Sequence, residues 1–167
     1  MSFTLETGSI VLGANAYVDV AEFAAYHTDR ANTYTATDPQ IQAAIIKATA
    51  YIDSKYRSRW KGRRVSVLQT LQWPRYYVMV DDTDGAYVDS DSIPRAVKDA
   101  VCEAALRSLT STLAPDLERG GRVKREKVDV IETEYMDGSP STTTYQIIDQ
   151  LLNGLLKPSG SVELVRG

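Results

Sequence analysis

Six cations fall within ten residues of this chain, Lys55, Arg57, Arg59, Lys61, Arg63 and Arg64, with Tyr56 and Trp60 interleaved among them. Cations at that density can follow a phosphate backbone while an aromatic face between them stacks on an unpaired base. The chemistry this spacing points to is contact with nucleic acid, and all six are candidate contact residues. The same run has a second reading, a solvated turn in which Trp60 packs under the preceding helix and the cations pair with acids such as those between 81 and 91. The sequence is compatible with both.

Little else in the chain is equipped for chemistry. His27 is the single histidine and Cys102 the single cysteine, so zinc-ligand spacing and a Cys/His pair are both missing. His27 is expected at the surface or capping the end of a short helix, and Cys102 in the core as a small apolar side chain. No G-x-x-x-x-G-K-[ST], G-x-G-x-x-G or G-x-S-x-G motif occurs, which leaves a phosphate cradle and a nucleophile elbow without support. Asp81, Asp82, Asp84, Asp89 and Asp91 are dense enough to suggest calcium. Asp82, Asp84, Gly85 and Asp91 match positions 3, 5, 6 and 12 of an EF-hand loop, but position 1 is then Val80, position 12 lacks its Glu, and no helix precedes the loop. A solvated hairpin turn is the better reading, and one short loop of carboxylates without a second cluster does not make a metal-dependent nuclease. The chain is expected not to be an enzyme, with no catalytic residue, metal or cofactor assigned.

The elements that must position the basic run can be read from punctuation and period. Asp38 is a candidate N-cap and Pro39 fits the first turn of a long helix. Ile41, Ala44, Ile45, Ala48, Ile52 and Tyr56 recur at steps of three and four and form its core stripe, with Lys47, Thr49, Asp53, Ser54 and Arg57 opposite. Arg59 would return a charge to the apolar meridian, so the helix should end near 56 to 58, and Gly62 supports that stop. Upstream, Asp19 and Glu22 form a capping box with a Val18 to Phe23 staple, opening a short helix to about Arg30. Residues 76–92 read as a strand, an acidic turn at Asp84-Gly85 and a return. A central helix should run from a Ser92 cap, with Pro94 in its first turn, to about Leu113. One stripe of that helix is Val97, Ala100, Val101 and Ala104; the other is Cys102, Leu106, Leu109 and Leu113, facing either a second core layer or a neighbouring subunit.

Residues 116–127 form a charged Gly-Gly connection, and 122–136 read as an extended arm. Its Val128, Val130 and Ile131 lack a clean apolar face, so the arm could add to another chain's strand edge, which makes them candidate interface residues with Leu106, Leu109 and Leu113. A last short helix runs from Thr144 to Leu155 through Tyr145, Ile148, Leu151 and Leu152, followed by a break at Lys157-Pro158 and an apolar tail. The expected fold is therefore mainly α: about four helices in a small bundle over 1–155, with the 76–92 hairpin, the arm, and a tail over 156–167.

At 167 residues the chain fits one domain that needs no staple. Its N-terminus lacks the basic and apolar regions of a signal peptide and no stretch reaches the ~18 apolar residues of a membrane span, so a soluble, non-secreted protein is expected. The formal net charge of −3 argues against generic affinity for polyanions, leaving any nucleic-acid contact to a local patch.

The order of several short motifs carries a resemblance. Asn15-Ala16-Tyr17-Val18, AIIKATAYID from Ala44, Trp60-Lys61-Gly62-Arg63, Leu71-Gln72-Trp73-Pro74-Arg75, Ile93-Pro94 before VKDAVCEAAL, Glu126-Lys127-Val128, Glu134-Tyr135 and a closing LVRG occur in succession. Together they resemble the tailed-phage head-tail adaptor, or head completion, proteins, many of which carry the label DnaT-like single-stranded DNA-binding protein. The resemblance implies a structural protein of the virion neck, assembled in the host cytoplasm, forming a ring of about a dozen copies under the portal, with a further neck or tail-completion protein below and DNA passing through. It also implies a portal-docking role for the C-terminal segment, carried here onto Leu155, Lys157, Val162, Leu164, Val165 and Arg166. The runner-up is single-stranded DNA binding through the basic run.

Overall fold

The structure, a computed structural model, describes residues 2–115 and 144–158 and the backbone of two strands at 125–128 and 131–134. Four helices dominate it, α1 (Val20–Thr28), α2 (Asp38–Lys55), α3 (Arg95–Ser108) and α4 (Gln146–Leu152), the last continuing into a 3-10 turn at Asn153–Leu155. The fold is small and mainly α, as the periodicity predicts. α3 is the central element and packs against each of the other three helices.

Local chemistry explains most of the boundaries. Asp19 caps α1 by accepting the Glu22 N–H at 2.7 Å, and the Glu22 carboxylate accepts the Asp19 N–H in return. At α2 the cap is Thr37, not Asp38: the Gln40 side chain reaches back to the Thr37 N–H at 2.8 Å, which moves Asp38 into the first turn. The six expected stripe residues of α2 are buried. Thr49, assigned to the polar side, is buried with them, its hydroxyl lacking a partner. α3 starts two residues later than expected, with Pro94 at the cap position in place of Ser92, whose hydroxyl donates to the Asp89 carbonyl rather than accepting a helix N–H. It also ends at Ser108, short of Leu113. Val97, Ala100, Val101 and Ala104 are buried, and so are Cys102 and Leu113 of the second stripe, while Leu106 and Leu109 lie half-buried against the same core.

His27 is a correction: it is fully buried, not superficial. Its Nε2 lies 3.1 Å from the Cys102 carbonyl and its Nδ1 3.1 Å from the Asn32 amide, and the rings of Phe23, Tyr26 and Tyr34 surround it edge-on. Burial lowers its pKa, so the neutral ring, donating from Nε2, ties α1 to α3.

The expected 76–92 hairpin is present in compact form. Val80 N–H donates to Ala86 at 2.9 Å, Val88 N–H to Val78 at 2.9 Å, and Gly85 takes φ +75° in the turn. Its first residue belongs also to a short antiparallel ribbon, β1 (Arg63–Arg64) with β2 (Arg75–Tyr76). The extended arm folds back on itself: β3 (Arg125–Val128) pairs with β4 (Ile131–Glu134), Val128 opposite Ile131, so one edge of each strand is occupied by its own chain. Val130 lies outside the described residues, as do the side chains of Val128 and Ile131.

The packed domain continues past residue 155. Leu156 is buried and bridges Trp60, Lys61 N–H donates to Leu155 at 3.0 Å, and Lys157 N–H donates to Arg59 at 2.6 Å. Leu155 and Lys157, assigned to a docking tail, are thus stitched into the basic turn, while Val162, Leu164, Val165 and Arg166 lie outside the described residues.

Candidate nucleic-acid interface

The six cations are not a single surface. Lys55 pairs with Asp149 at 3.2 Å, and the same carboxylate accepts the Tyr56 hydroxyl, which fastens α2 to α4. Arg59 is half-buried with its Nε unpartnered, and its carbonyl serves Lys157. Lys61 Nζ is held between Asp81 at 2.6 Å and the Gly154 carbonyl at 2.8 Å. Arg57, Arg63 and Arg64 face solvent. The paired-turn reading therefore fits Lys55 and Lys61, and the phosphate reading is left with the three arginines.

The two aromatics of the run cannot stack on bases, because Tyr56 and Trp60 are fully buried. Trp60 instead meets Trp73 edge to face at 5.6 Å, and this pair forms the floor under the ribbon. Gly62 makes the turn between floor and ribbon: its φ is +65°, and a Cβ there would lie 2.1 Å from the Tyr76 carbonyl. No side chain fits that approach.

Arg75 locks the turn from below. Nearly buried, it donates from Nε to the Lys61 carbonyl at 2.8 Å, from Nη2 to Gly62 at 2.9 Å and from Nη1 to Gln72 at 3.2 Å. Beneath it, Asp53 clamps the Gln72-Trp73 step: Gln72 N–H donates to its carboxylate at 2.9 Å, Tyr17 OH donates to it at 2.8 Å, and Trp73 N–H donates to the Tyr17 oxygen at 3.0 Å. Burial raises the Asp53 pKa to about 6 despite those donors. Gln69 closes the intervening loop from its amide to the Leu71 and Pro74 carbonyls.

What this frame holds up is aromatic. Tyr76, Tyr77 and Tyr87 are 39%, 63% and 56% exposed, with ring centroids 5.9 Å apart for Tyr76 and Tyr77 and 6.4 Å for Tyr77 and Tyr87. The Arg63 guanidinium lies 4.9 Å over the Tyr77 ring, and Arg64 Nη1 donates to the Gln69 carbonyl at 3.2 Å. Tyr77 adopts φ +59°, a conformation that costs a side-chain-bearing residue about 1 kcal/mol or more. The kink breaks the alternation of a strand, so neighbours Tyr76 and Tyr77 are both presented outward while Val78 turns inward. Sequence reasoning missed these tyrosines; the available signal was Tyr76-Tyr77 directly after Pro74-Arg75, with Tyr87 at the far end of the hairpin. A second concavity, between α1 and α3, is lined by Tyr26, Arg30, Arg95 and Cys102 and by charges that largely cancel, such as Lys98 with Glu22 at 2.6 Å.

Exposed aromatics beside exposed guanidinium groups form a surface suited to unpaired bases and their phosphates. Neither a curated protein nor a solved structure matches this chain. Over residues 1–167 it matches the family described as "Putative DnaT-like ssDNA binding protein", and the chain belongs to that family.

Proposed function

We propose that this protein binds single-stranded DNA on the face of the β1–β2 ribbon, with Tyr76, Tyr77 and Tyr87 stacking on bases and Arg63 and Arg64 meeting phosphates. The observation that carries the reading is Arg63 set over an exposed, backbone-strained Tyr77 between two further exposed tyrosines. The family's description supports the same ligand. With a net charge of −3 the rest of the molecule opposes a polyanion, so binding is local, modest in strength and salt-sensitive. Fluorescence anisotropy of a labelled oligothymidine at low salt tests it. Tyr77→Ala and Arg63→Ala should each weaken binding about tenfold, whereas Lys55→Ala, at a cation spent on Asp149, should not. Equal affinities for all four proteins would refute the assignment.

A second reading, the non-enzymatic head-tail adaptor, is favoured by a different observation. Leu12, Val67 and Leu68 are 70%, 88% and 70% exposed, and the Gly13 N–H to Thr70 contact at 3.1 Å ties their two loops together. Apolar exposure on that scale suits subunit contact better than solvent. In this reading the protein is a virion neck component, a ring of about a dozen copies contacting portal, a downstream neck protein and the DNA in transit. Co-sedimentation with portal-bearing, DNA-filled heads, followed by imaging, tests it; failure to attach would remove it.

A further inference from the structure

Resting on the single-strand reading, we propose that Asp81 acts as an internal stand-in for a DNA phosphate: the tip of the 76–92 hairpin occupies Lys61 and withholds that cation from the ribbon's binding face. Lys61 is one residue from Gly62 and two from Arg63, so it belongs to the same turn that presents the exposed arginines. Its Nζ is bonded to Asp81 at 2.6 Å and to the Gly154 carbonyl at 2.8 Å, and its side chain is only 19% exposed. The Asp81 side chain is 54% exposed, so the carboxylate reaches Lys61 from the solvent side, the side from which a phosphate would have to come. The hairpin that carries Asp81 is the one that carries Tyr77 and Tyr87, so the carboxylate and the two rings belong to one element.

The exchange is nearly balanced. A half-exposed ion pair is worth little on its own, and a phosphate brings the same charge and stronger acceptors. An intramolecular carboxylate, however, is always present and needs no second molecule to be immobilised. The wild-type site therefore binds with one cation fewer than the turn from Lys61 to Arg64 offers, which keeps the strand loosely held.

Salt dependence reads this out directly, because each phosphate neutralised on a single strand contributes a slope of about −0.7 in log K against log salt. Oligothymidine binding is measured across a salt series for the wild type, Asp81→Asn, Asp84→Asn and Asp81→Asn with Lys61→Gln. We expect Asp81→Asn to bind at least threefold tighter with a slope steeper by about 0.7, and the added Lys61→Gln to restore the wild-type slope. Asp84→Asn removes an equal charge from the hairpin turn without freeing Lys61, and should leave the slope unchanged. Asp81→Ser serves as a second release variant, and the melting temperature of each protein shows that it is folded. Equal gains for Asp81→Asn and Asp84→Asn with no change in slope would overturn the proposal and leave the ribbon site standing. No binding by any of them at low salt would overturn the single-strand reading and this proposal with it.

Discussion

Through one carboxylate, Asp53 on α2 joins Tyr17 to the Gln72-Trp73 step. On the helical wheel it belongs to the polar side of α2, yet its carboxylate carries the Gln72 N–H and the Tyr17 hydroxyl, and burial lifts its pKa from 3.8 to about 6. A carboxyl that holds its proton more tightly folded than unfolded favours the fold below pH 4, and that contribution is lost as pH rises through about 6. The shift corresponds to about 3 kcal/mol. Urea melts at pH 4 and pH 7 should therefore show the wild type losing stability relative to Asp53→Asn over that interval, because the amide cannot ionise; parallel pH profiles would contradict the cause given. Nothing in the local sequence announces this. The donors come from residues 17 and 72, and long-range partners of a polar residue leave no periodic trace. His27 escaped for the same reason, since its acceptor, the Cys102 carbonyl, lies 75 residues away. Trp60 was legible in part, since packing under the preceding helix was one of the two readings open for the basic run.

Among elements, the helices were legible and the ribbon was not. α1 and α2 follow from capping residues and a three-to-four period that no other arrangement of those apolar side chains satisfies. The misplaced α2 cap is a contest between two adjacent cap-forming residues, Thr37 and Asp38, decided by Gln40. β1 and β2 have two residues each, too few to alternate, and they meet only because the Gly62 turn and the Arg75 guanidinium bring them together. Gly62→Ala tests that origin. The new methyl would have to sit 2.1 Å from the Tyr76 carbonyl and 2.9 Å from Val78 Cγ2 at a φ of +65°. A loss of about 2–4 kcal/mol is expected, together with weaker oligonucleotide binding from displacement of Tyr76 and Tyr77. An unchanged denaturation midpoint would show that the close approach is not what holds the ribbon.

For the molecule as a whole, fold class was readable because a mainly α chain with one central helix needs only periodicity, whereas the outer limit of the domain depends on tertiary bonds. Leu156 and Lys157 look like the start of a tail after a short helix, yet the chain closes on itself there through Trp60, Arg59 and Lys61. Compared with ending the chain after Pro158, ending it after Gly154 removes a buried leucine and the two backbone bonds to the basic turn. The second truncation should cost about 3–5 kcal/mol, a fall of roughly 10 °C in Tm for a chain of this size; equal melting of the two would mean that the closure is idle. The paired indoles under the ribbon have an optical consequence. Trp60 and Trp73 are the chain's two tryptophans, both hidden from water and 5.6 Å apart. Their emission should be blue-shifted and their near-ultraviolet circular dichroism coupled, so the protein carries its own gauge of ribbon closure. Bases stacking outside would quench tyrosine light and leave the tryptophan band in place, and only an opening of the floor would move that band to the red.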